Sequence, residues 1–523
     1  MSNVTSFPEE PRSSVGHAAA RALAWFARPD VLALLLLAVL TVFRVQGTVD
    51  QDTSWQLWVA DRMHHGARLY SDIMETNPPL WFWMALPVDS LAKLLGVRSD
   101  ALMILAVAAA AALSLVATGR LLTHVSAGRR SLLLAFAALI LFGMPWMHVG
   151  QREHLALLGA VPYAALIAAR YSGRPVSPKL AFAIGAGAAL GFALKHYFLL
   201  APVLLELWLQ FGQRRRSPLF RPEIIALLTV GGAYACAVLI WARDFLTVGV
   251  PLLRLAYGST GATRFIDLFQ PPIWIALLLL VALALNYRRF GKQAPFATAL
   301  LIAGTAFGAD YFIQGKGWLY HAIPLVGCLS LALASLLAEL PEVPRSLRLI
   351  APALLVLPVA VAAQEQRAAV EPNPELVRSI AGLPPGTKVG FIATDLGLAW
   401  SVTYQHHLGF ASRYNGFWML RAIVRNEERP DPDPRLLDLH RRIVAQTVVD
   451  FECAQPPRVI ISRPSPDGSD RNAFDILPFF LNDPAFAAMF KHYRSIWRGP
   501  GLDVYQLSTP LPRPAPAACR RGV

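Results

Sequence analysis

Charge is what this chain has least of. Only 16% of its 523 residues are Asp, Glu, Lys or Arg, against 55% hydrophobic residues, and the mean hydropathy is +0.44. A soluble domain carries roughly 25% charged residues, so this balance argues for membrane spans. Acidic groups are the scarcer sign, 34 against 48 basic ones, which leaves a net charge of +14. No long basic block stands beside base-stacking aromatics. The scattered Arg and Lys residues therefore argue against nucleic acid and for topology and contact with anionic lipid. Cysteine is also rare, with four residues, and CxxC and HExxH spacings are absent, which removes the usual case for structural zinc. Cys236 and Cys328 fall in apolar runs, where thiols pack as small hydrophobes. Cys453 and Cys519 lie in the polar C-terminal part. They are candidates for a disulfide if that part faces an oxidising compartment, although spacing alone gives no distance between them. Nor is there an internal repeat. The polar start lacks a compact basic region leading into a cleavable apolar core, so the first apolar run reads as an uncleaved span.

What the chain does have is a series of apolar runs, at about 30–46, 100–120, 131–149, 154–170, 179–195, 197–212, 223–242, 271–287, 294–313, 319–339 and 347–364. The stretch 79–96 is nearly apolar but contains Pro87, Asp89 and Lys93. With the N-terminus cytoplasmic and 79–96 only dipping into the outer interface, the loops carrying Arg129-Arg130, Arg170/Arg174/Lys179, Arg214-Arg215-Arg216, Arg288-Arg289 and Arg345/Arg348 all fall inside. A twelfth span would throw them outside, so about eleven spans satisfy the positive-inside rule. The same topology leaves on the outer face Asp50/Asp52, the corner Gln151-Arg152-Glu153-His154, Lys195-His196-Tyr197, the loop 243–270 with Arg264, and Gly315-Lys316-Gly317-Trp318-Leu319-Tyr320-His321. Ionisable groups at membrane edges are costly and mark pathways or sites. After the last span, short β-rich runs at 388–393, 458–462 and 502–507 alternate with helical patterns at 395–406, 414–426 and 433–449, which reads as a small α/β domain. The expected layout is a cytoplasmic segment 1–28, a membrane domain 29–365 with a first periplasmic loop 46–99, a periplasmic α/β domain 366–508, and a Pro/Ala-rich tail 509–523.

The first outer loop is the most informative segment. It runs Val49-Asp50-Gln51-Asp52-Thr53-Ser54-Trp55, followed by a helical stretch with Trp55, Trp58, Val59, the stem of Arg62, and Met63 on one face. That pattern predicts an interfacial helix with one side in lipid. Asp52 sits at its start, where a carboxylate can serve either as a helix cap or in chemistry.

Asp52-Thr-Ser-Trp, Ala60-Asp-Arg-Met, Gly66, Leu69-Tyr70-Ser-Asp72 and Asn77-Pro78-Pro79-Leu80 resemble the first outer loop of GT-C-fold glycosyltransferases. The likeness is to the bacterial group of protein O-mannosyltransferases and the lipid A aminoarabinose transferase. Arg152-Glu153-His154 looks like that family's second outer acidic site, and the loop around Lys316 and His321 resembles a lysine/histidine loop in some members. The family's usual Asp-Glu pair is here Asp52-Thr53, with another acid at Asp50. The resemblance, over roughly 30–365, implies a polytopic α-helical membrane protein of GT-C type. It also implies a polyprenyl-phosphate-linked sugar as donor, and transfer on the periplasmic side of a bacterial inner membrane.

Such a transfer needs a base for the acceptor hydroxyl, fixed cations for the departing phosphate, and an apolar slot for the lipid. Asp52 is the expected base, with Asp50 beside it to orient it, bind the acceptor or share its proton. Their Asp-X-Asp spacing also suits a divalent cation, while no other metal or cofactor is indicated. Lys316, between two glycines that let it approach a ligand closely, is the leading phosphate ligand. Arg152, Lys195, Arg264 and His321 stand behind it. Glu153, His154, His196 and Tyr320 are candidates for the acceptor or sugar. The acceptor is an envelope glycan, lipid or protein hydroxyl. The alternative function is a transporter or flippase of lipid-linked sugars, which should place polar groups near the midplane in matching halves.

Overall fold

The computed structural model describes residues 28–47, 49–212, 218, 220–259, 265–368, 374–394, 397–403, 406–464, 474–515 and 519. The expected cytoplasmic segment therefore lies, apart from Arg28, outside the described residues. The membrane part is built from helices α1 (Val31–Val45), α2 (Gln51–His64), α3 (Leu80–Leu95), α4 (Ser99–Leu121), α5 (Ala127–Ala138), α6 (Arg152–Tyr171) and α7 (Pro178–Phe192). It continues through α8 (Leu200–Gly212), α9 (Pro222–Trp241), α10 (Val250–Ser259), α11 (Pro271–Phe290), α12 (Pro295–Gln314), α13 (Ile323–Glu339) and α14 (Arg345–Ala368). Six segments, Ser99–Leu121, Arg152–Tyr171, Pro222–Trp241, Pro295–Gln314, Leu319–Glu339 and Arg345–Gln364, are long and apolar enough to cross a membrane. Shorter apolar helices accompany them. The chain is a multi-pass helical membrane protein with a small sheet.

Helices α6 and α13 are buried on almost every side, whereas α9 and α14 expose most of theirs. On α1, Leu32, Leu35, Val39, Val42 and Phe43 form an exposed apolar stripe, the expected surface toward lipid. Small residues let the central helices close up: a Cβ added at Gly191 of α7 would lie 2.9 Å from the Leu155 carbonyl oxygen of α6. That is the close backbone approach by which membrane helices associate without a hydrophobic drive.

Helix α3 contains Pro87, and the polar residues of its second half tie it to α2 and α4. His64 Nδ1 lies 3.1 Å from Asp89 Oδ2, Lys93 Nζ 2.5 Å from Asp61 Oδ1 and 2.7 Å from Asp89 Oδ2, and Ser99 Oγ donates to Asp89 Oδ1 at 2.8 Å. These contacts make α2 and α3 one paired unit.

The C-terminal part holds a five-stranded sheet. Strands β1 (Lys388–Ile392), β2 (Gly409–Phe410), β3 (Arg458–Ser462), β4 (Tyr493–Gly499) and β5 (Leu502–Leu507) lie in the order β2-β1-β3-β5-β4. β1 is parallel to β2 and β3, while β5 is antiparallel to β3 and β4. The β-rich runs read from sequence are β1, β3 and β5. Two strands escape a sequence reading: β2 is only two residues long, and β4 alternates mainly exposed residues, so neither makes an apolar run. Helices α15 (Pro374–Ile380), α16 (Gly397–Thr403), α17 (Leu420–Glu427), α18 (Pro434–Ala454), α19 (Ile476–Leu481) and α20 (Pro484–Phe490) surround the sheet. The helical pattern expected from 414 begins only at Leu420, because Met74 N donates to Arg413 O at 2.9 Å and Met74 bridges Tyr414.

The apolar face of α2 does not lie in lipid as its pattern suggested. Trp55 is stacked on Trp58 with centroids 4.9 Å apart and meets Trp400 of α16 at 5.0 Å, while Trp58 meets Phe410 of β2 at 6.0 Å. Protein covers it, because the C-terminal domain supplies the aromatic partners. A buried Arg413–Asp450 pair, Nη2 to Oδ1 2.7 Å, anchors the same junction.

Cys453 and Cys519 form a disulfide across a sequence separation of 66. A crosslink of this kind stabilises mainly by restricting the unfolded chain, by about 2–4 kcal/mol. Cys453→Ser is expected to lower the unfolding midpoint of the purified oxidised protein, and added reductant should lower the wild type to the same value. Equal midpoints with and without reductant would show that the bond contributes nothing.

Candidate active site

The N-terminus of α2 carries the paired carboxylates. The helix begins at Gln51, and Asp50 is its cap: Thr53 N donates to Asp50 Oδ1 at 2.8 Å. Capping therefore falls to Asp50 and leaves Asp52, one residue into the helix, available for chemistry. A single amide joins them. Gln151 Nε2 donates to Asp50 Oδ2 at 2.7 Å and to Asp52 Oδ2 at 2.8 Å, and His148 Nδ1 lies 3.0 Å from Asp50 Oδ2. Burial and the neighbouring Asp50 charge push the Asp52 carboxyl up to about 6, the behaviour of close carboxylates away from water.

The corner preceding α6 brings the next groups. Arg152 is buried, with its guanidinium carbon 4.9 Å from the Trp81 ring centroid and Nη1 donating to Asn77 Oδ1. Asn77 is held by Glu75, whose Oε1 accepts from Asn77 N and Nδ2, each at 2.9 Å. Glu75 Oε2 accepts from Trp55 Nε1 at 2.6 Å. This is why Asn77-Pro78-Pro79 stands where it does: the loop is wired to α2 on one side and to Arg152 on the other.

Glu153 is fully buried, and its partner is not Arg152. Lys195 Nζ donates to Glu153 Oε1 and to Gln314 Oε1 at 3.1 Å. His321 Nε2 lies 3.2 Å from Lys195 Nζ and 3.3 Å from Glu153 Oε1. Three segments distant in sequence thus meet at one ion pair. Gln151 Oε1, Arg152 Nε, Glu153 Oε2 and His321 Nδ1 are buried without a hydrogen-bond partner among the described residues. Native interiors rarely tolerate that, so such atoms call for water or a ligand.

Lys316 sits between Gly315 (φ 59°) and Gly317 (φ 70°), both left-handed. The turn needs glycine on each side of the lysine. Its Nζ lies 3.3 Å from the centroid of Tyr257, and burial lowers its ammonium to about 8. Among the described residues no carboxylate stands within ion-pair distance of it. Tyr320 lies within electrostatic reach of Asp52, Glu153, Arg152 and Asp50, and its ring is 5.5 Å from His148. His148 also lines an apolar groove of ≈ 410 Å³, counted out to its open mouth, with Pro272, Ile275, Leu319, Ile323 and Val361.

The structure therefore gathers Asp50, Asp52, Arg152, Glu153, Lys195, Tyr320 and His321, with Lys316 on the adjoining turn. Two candidates stand apart. His154 uses both ring nitrogens on backbone: Nε2 faces Leu141 O at 2.6 Å, and Nδ1 accepts from Gly150 N at 3.3 Å. His196 is exposed and rests on Tyr197. Arg264 lies outside the described residues. Glu75 and His148 belong to the site without a signal in the sequence, and Gln151 belongs to it too, marked by the sequence only as part of the outer corner. His148 was absorbed into an apolar run, and a lone loop acid such as Glu75 carries no pattern. Gln151 could have been found, as the polar residue beside Arg152-Glu153. Among the described residues, no three His, Cys, Asp or Glu side chains are grouped to hold a metal. The facing oxygens of Asp50 and Asp52 both accept from Gln151.

No family model matches the chain, and no curated protein matches it in sequence. Among solved structures, ArnT from Cupriavidus metallidurans bound to undecaprenyl phosphate is similar, with a TM-score of 0.50 at 13% identity, over 94% of this chain and 98% of that one. An Archaeoglobus fulgidus oligosaccharyltransferase reaches 0.43 at 13% identity, over 91% of this chain and 74% of that one. Mycobacterial arabinofuranosyltransferase AftD reaches 0.42 at 14%, over 90% and 40%. These neighbours are GT-C-fold glycosyltransferases. The likeness to ArnT extends over nearly the whole of both chains, and the fold is of GT-C type, as the first-loop residues implied.

Removing one member of a buried ion pair strands the other, at a cost of about 3–5 kcal/mol, whereas an apolar replacement of both is close to neutral. Lys195→Ala is expected to lower the unfolding midpoint in detergent sharply, with Lys195→Met/Glu153→Met recovering most of the loss. A single variant as stable as wild type would show that Glu153 is solvated rather than buried.

Proposed function

We propose that this protein is a membrane glycosyltransferase that moves a sugar from a polyprenyl-phosphate donor to an acceptor hydroxyl at the outer face of a bacterial inner membrane. One observation carries the reading. A carboxylate pair from α2 converges on cationic and imidazole groups from three distant segments, beside an apolar groove that His148 joins to the site. Those are the parts the transfer requires. ArnT, whose structure holds undecaprenyl phosphate, lends the lipid donor its support. The basic loops and the apolar segments support about eleven spans with the N-terminus inside and the C-terminal α/β domain outside.

In this mechanism Asp52 accepts the proton of the acceptor hydroxyl as its oxygen bonds to the anomeric carbon. The carbon–oxygen bond to phosphate breaks, and the polyprenyl phosphate leaves with the electron pair. Asp50 and Gln151 hold Asp52 in place and set its basicity. Lys316 and Arg152 take up the charge that grows on the phosphate, with Lys195 and His321 behind them, and the groove beside His148 receives part of the isoprenoid chain. Preorganised cations in a dry site stabilise such charge far more than in water. Glu153, through its unpartnered Oε2, and Tyr320 face the sugar or the acceptor, an envelope glycan, lipid or protein.

The test is transfer in liposomes from a panel of polyprenyl-phosphate sugars to an envelope extract. Asp52→Asn should reduce kcat on the order of 100-fold or more, as loss of a general base does, and Lys316→Ala should lower it by a similar order through lost charge stabilisation. Donor crossing the bilayer without transfer, and with Asp52→Asn indifferent, would replace the enzyme with a lipid-sugar transporter.

The pH profile follows from the same groups. Asp52 must be ionised to act, so activity should rise with pH through about 6. Lys316 must be charged to hold phosphate, so activity should fall above about 8. A profile of kcat/KM flat across this window would remove both residues from these roles.

A further inference from the structure

Helix α10 belongs to the C-terminal domain as much as to the membrane part. Its Leu252 and Ala256 are buried in one apolar cluster with Tyr414, Phe417, Met419, Leu420 and Ile423. From that anchored helix Tyr257 projects between two partners. Its ring stacks on Trp418, centroids 4.7 Å apart at 19°, and Lys316 Nζ sits 3.3 Å from its centroid. Helix α10 lies within the outer loop 243–270 read from the sequence. Burial of Leu252 and Ala256 shows it anchored rather than solvated.

We propose that Trp418 is a positioning residue through which the C-terminal domain holds Lys316 ready for the donor phosphate. The proposal rests on the reading of Lys316 as a phosphate ligand. The chain of contact is short. Trp418 fixes the plane of Tyr257, and that plane is the surface on which the ammonium rests, a cation–π contact strengthened by desolvation. The glycines on either side leave the lysine turn no side-chain anchor of its own. Gly317 instead leans on the turn Phe265–Leu268, where an added Cβ would come within 3.2 Å of the Asp267 carbonyl oxygen. His321 also lies within electrostatic reach of Lys316. An incoming phosphate offers the ammonium a full negative charge in place of a ring face, so Lys316 leaves Tyr257 for the donor. The domain thereby sets how readily the site captures its donor without touching the reacting atoms.

Full-length protein in nanodiscs tests this without relying on turnover. The pH midpoint for labelling of Lys316 by a small amine-reactive reagent, read by peptide mass spectrometry, should lie near 8 in the wild type. In Trp418→Ala it should move toward the ordinary 10.5, because the lysine loses its cover, and in Trp418→Phe it should stay near the wild-type value. Undecaprenyl phosphate should protect Lys316 from labelling, and Trp418→Ala should raise the donor KM on the order of five- to tenfold with kcat little changed. A wild-type midpoint in Trp418→Ala, with protection intact, overturns the part given to Trp418 alone. A shifted midpoint without protection by undecaprenyl phosphate overturns the phosphate role of Lys316 and the proposal with it. If Trp418→Ala does not fold, Tyr257→Leu removes the same stack from the other side, and a wild-type midpoint there overturns the proposal equally.

Discussion

The buried contact between Glu153 and Lys195 is the constraint on which the site depends. A carboxylate at the head of an apolar helix is expensive unless its charge is met, and an ammonium in the same place is no cheaper alone. Meeting at one point resolves both costs and fixes α6 against the turn before α8. With His321 and Gln314 drawn in, it also fixes the end of α12 and the start of α13. The preceding corner is then held, which sets Gln151 between Asp50 and Asp52 and Arg152 over Trp81. Moving Lys195 would therefore disturb a carboxylate pair that it never touches.

A second dependence runs through the C-terminal domain. Aromatic contacts from Trp400 and Phe410 cover the apolar face of α2, and the Met74–Arg413 backbone bond ties the first loop to the same domain. The helix that carries Asp52 is thus clamped between the membrane bundle and the domain above it. Helix α10 repeats the arrangement: Leu252 and Ala256 enter the domain core, and Tyr257 meets Lys316. Both chemically loaded segments, α2 and the Lys316 turn, are braced from outside the bundle. A preorganised site gains from such bracing, because donors and cations already in position need not reorganise during the reaction.

How much of this was legible in the chain can be followed residue by residue. Asp50 and Asp52 announced themselves as acids at the start of a helix in an acid-poor sequence, and Lys316 as a cation between glycines. Division of labour between the two acids was not legible, because the cap goes to whichever carboxylate reaches the Thr53 amide, a matter of where the first helical turn begins. Arg152 and Glu153 are adjacent, yet each binds a distant partner: adjacent residues on a helix point about 100° apart. His154 carried the same outward signal as its neighbours, but its ring points back to the Leu141 carbonyl. His196 is one residue from Lys195, yet it is exposed where Lys195 is buried.

The sequence by itself determined the class of molecule. Apolar runs too long and too poorly charged for a soluble core require a membrane, and β-rich runs in the polar C-terminal part require a separate small sheet. These are local and compositional properties, and transfer free energies act on them one segment at a time. The site was decided only by the tertiary structure. The partners of Glu153, the covering of α2, and the ring beneath Lys316 come from residues far along the chain. Burial makes such pairings obligatory once the helices meet, but no local pattern records which distant group will be there to meet the charge.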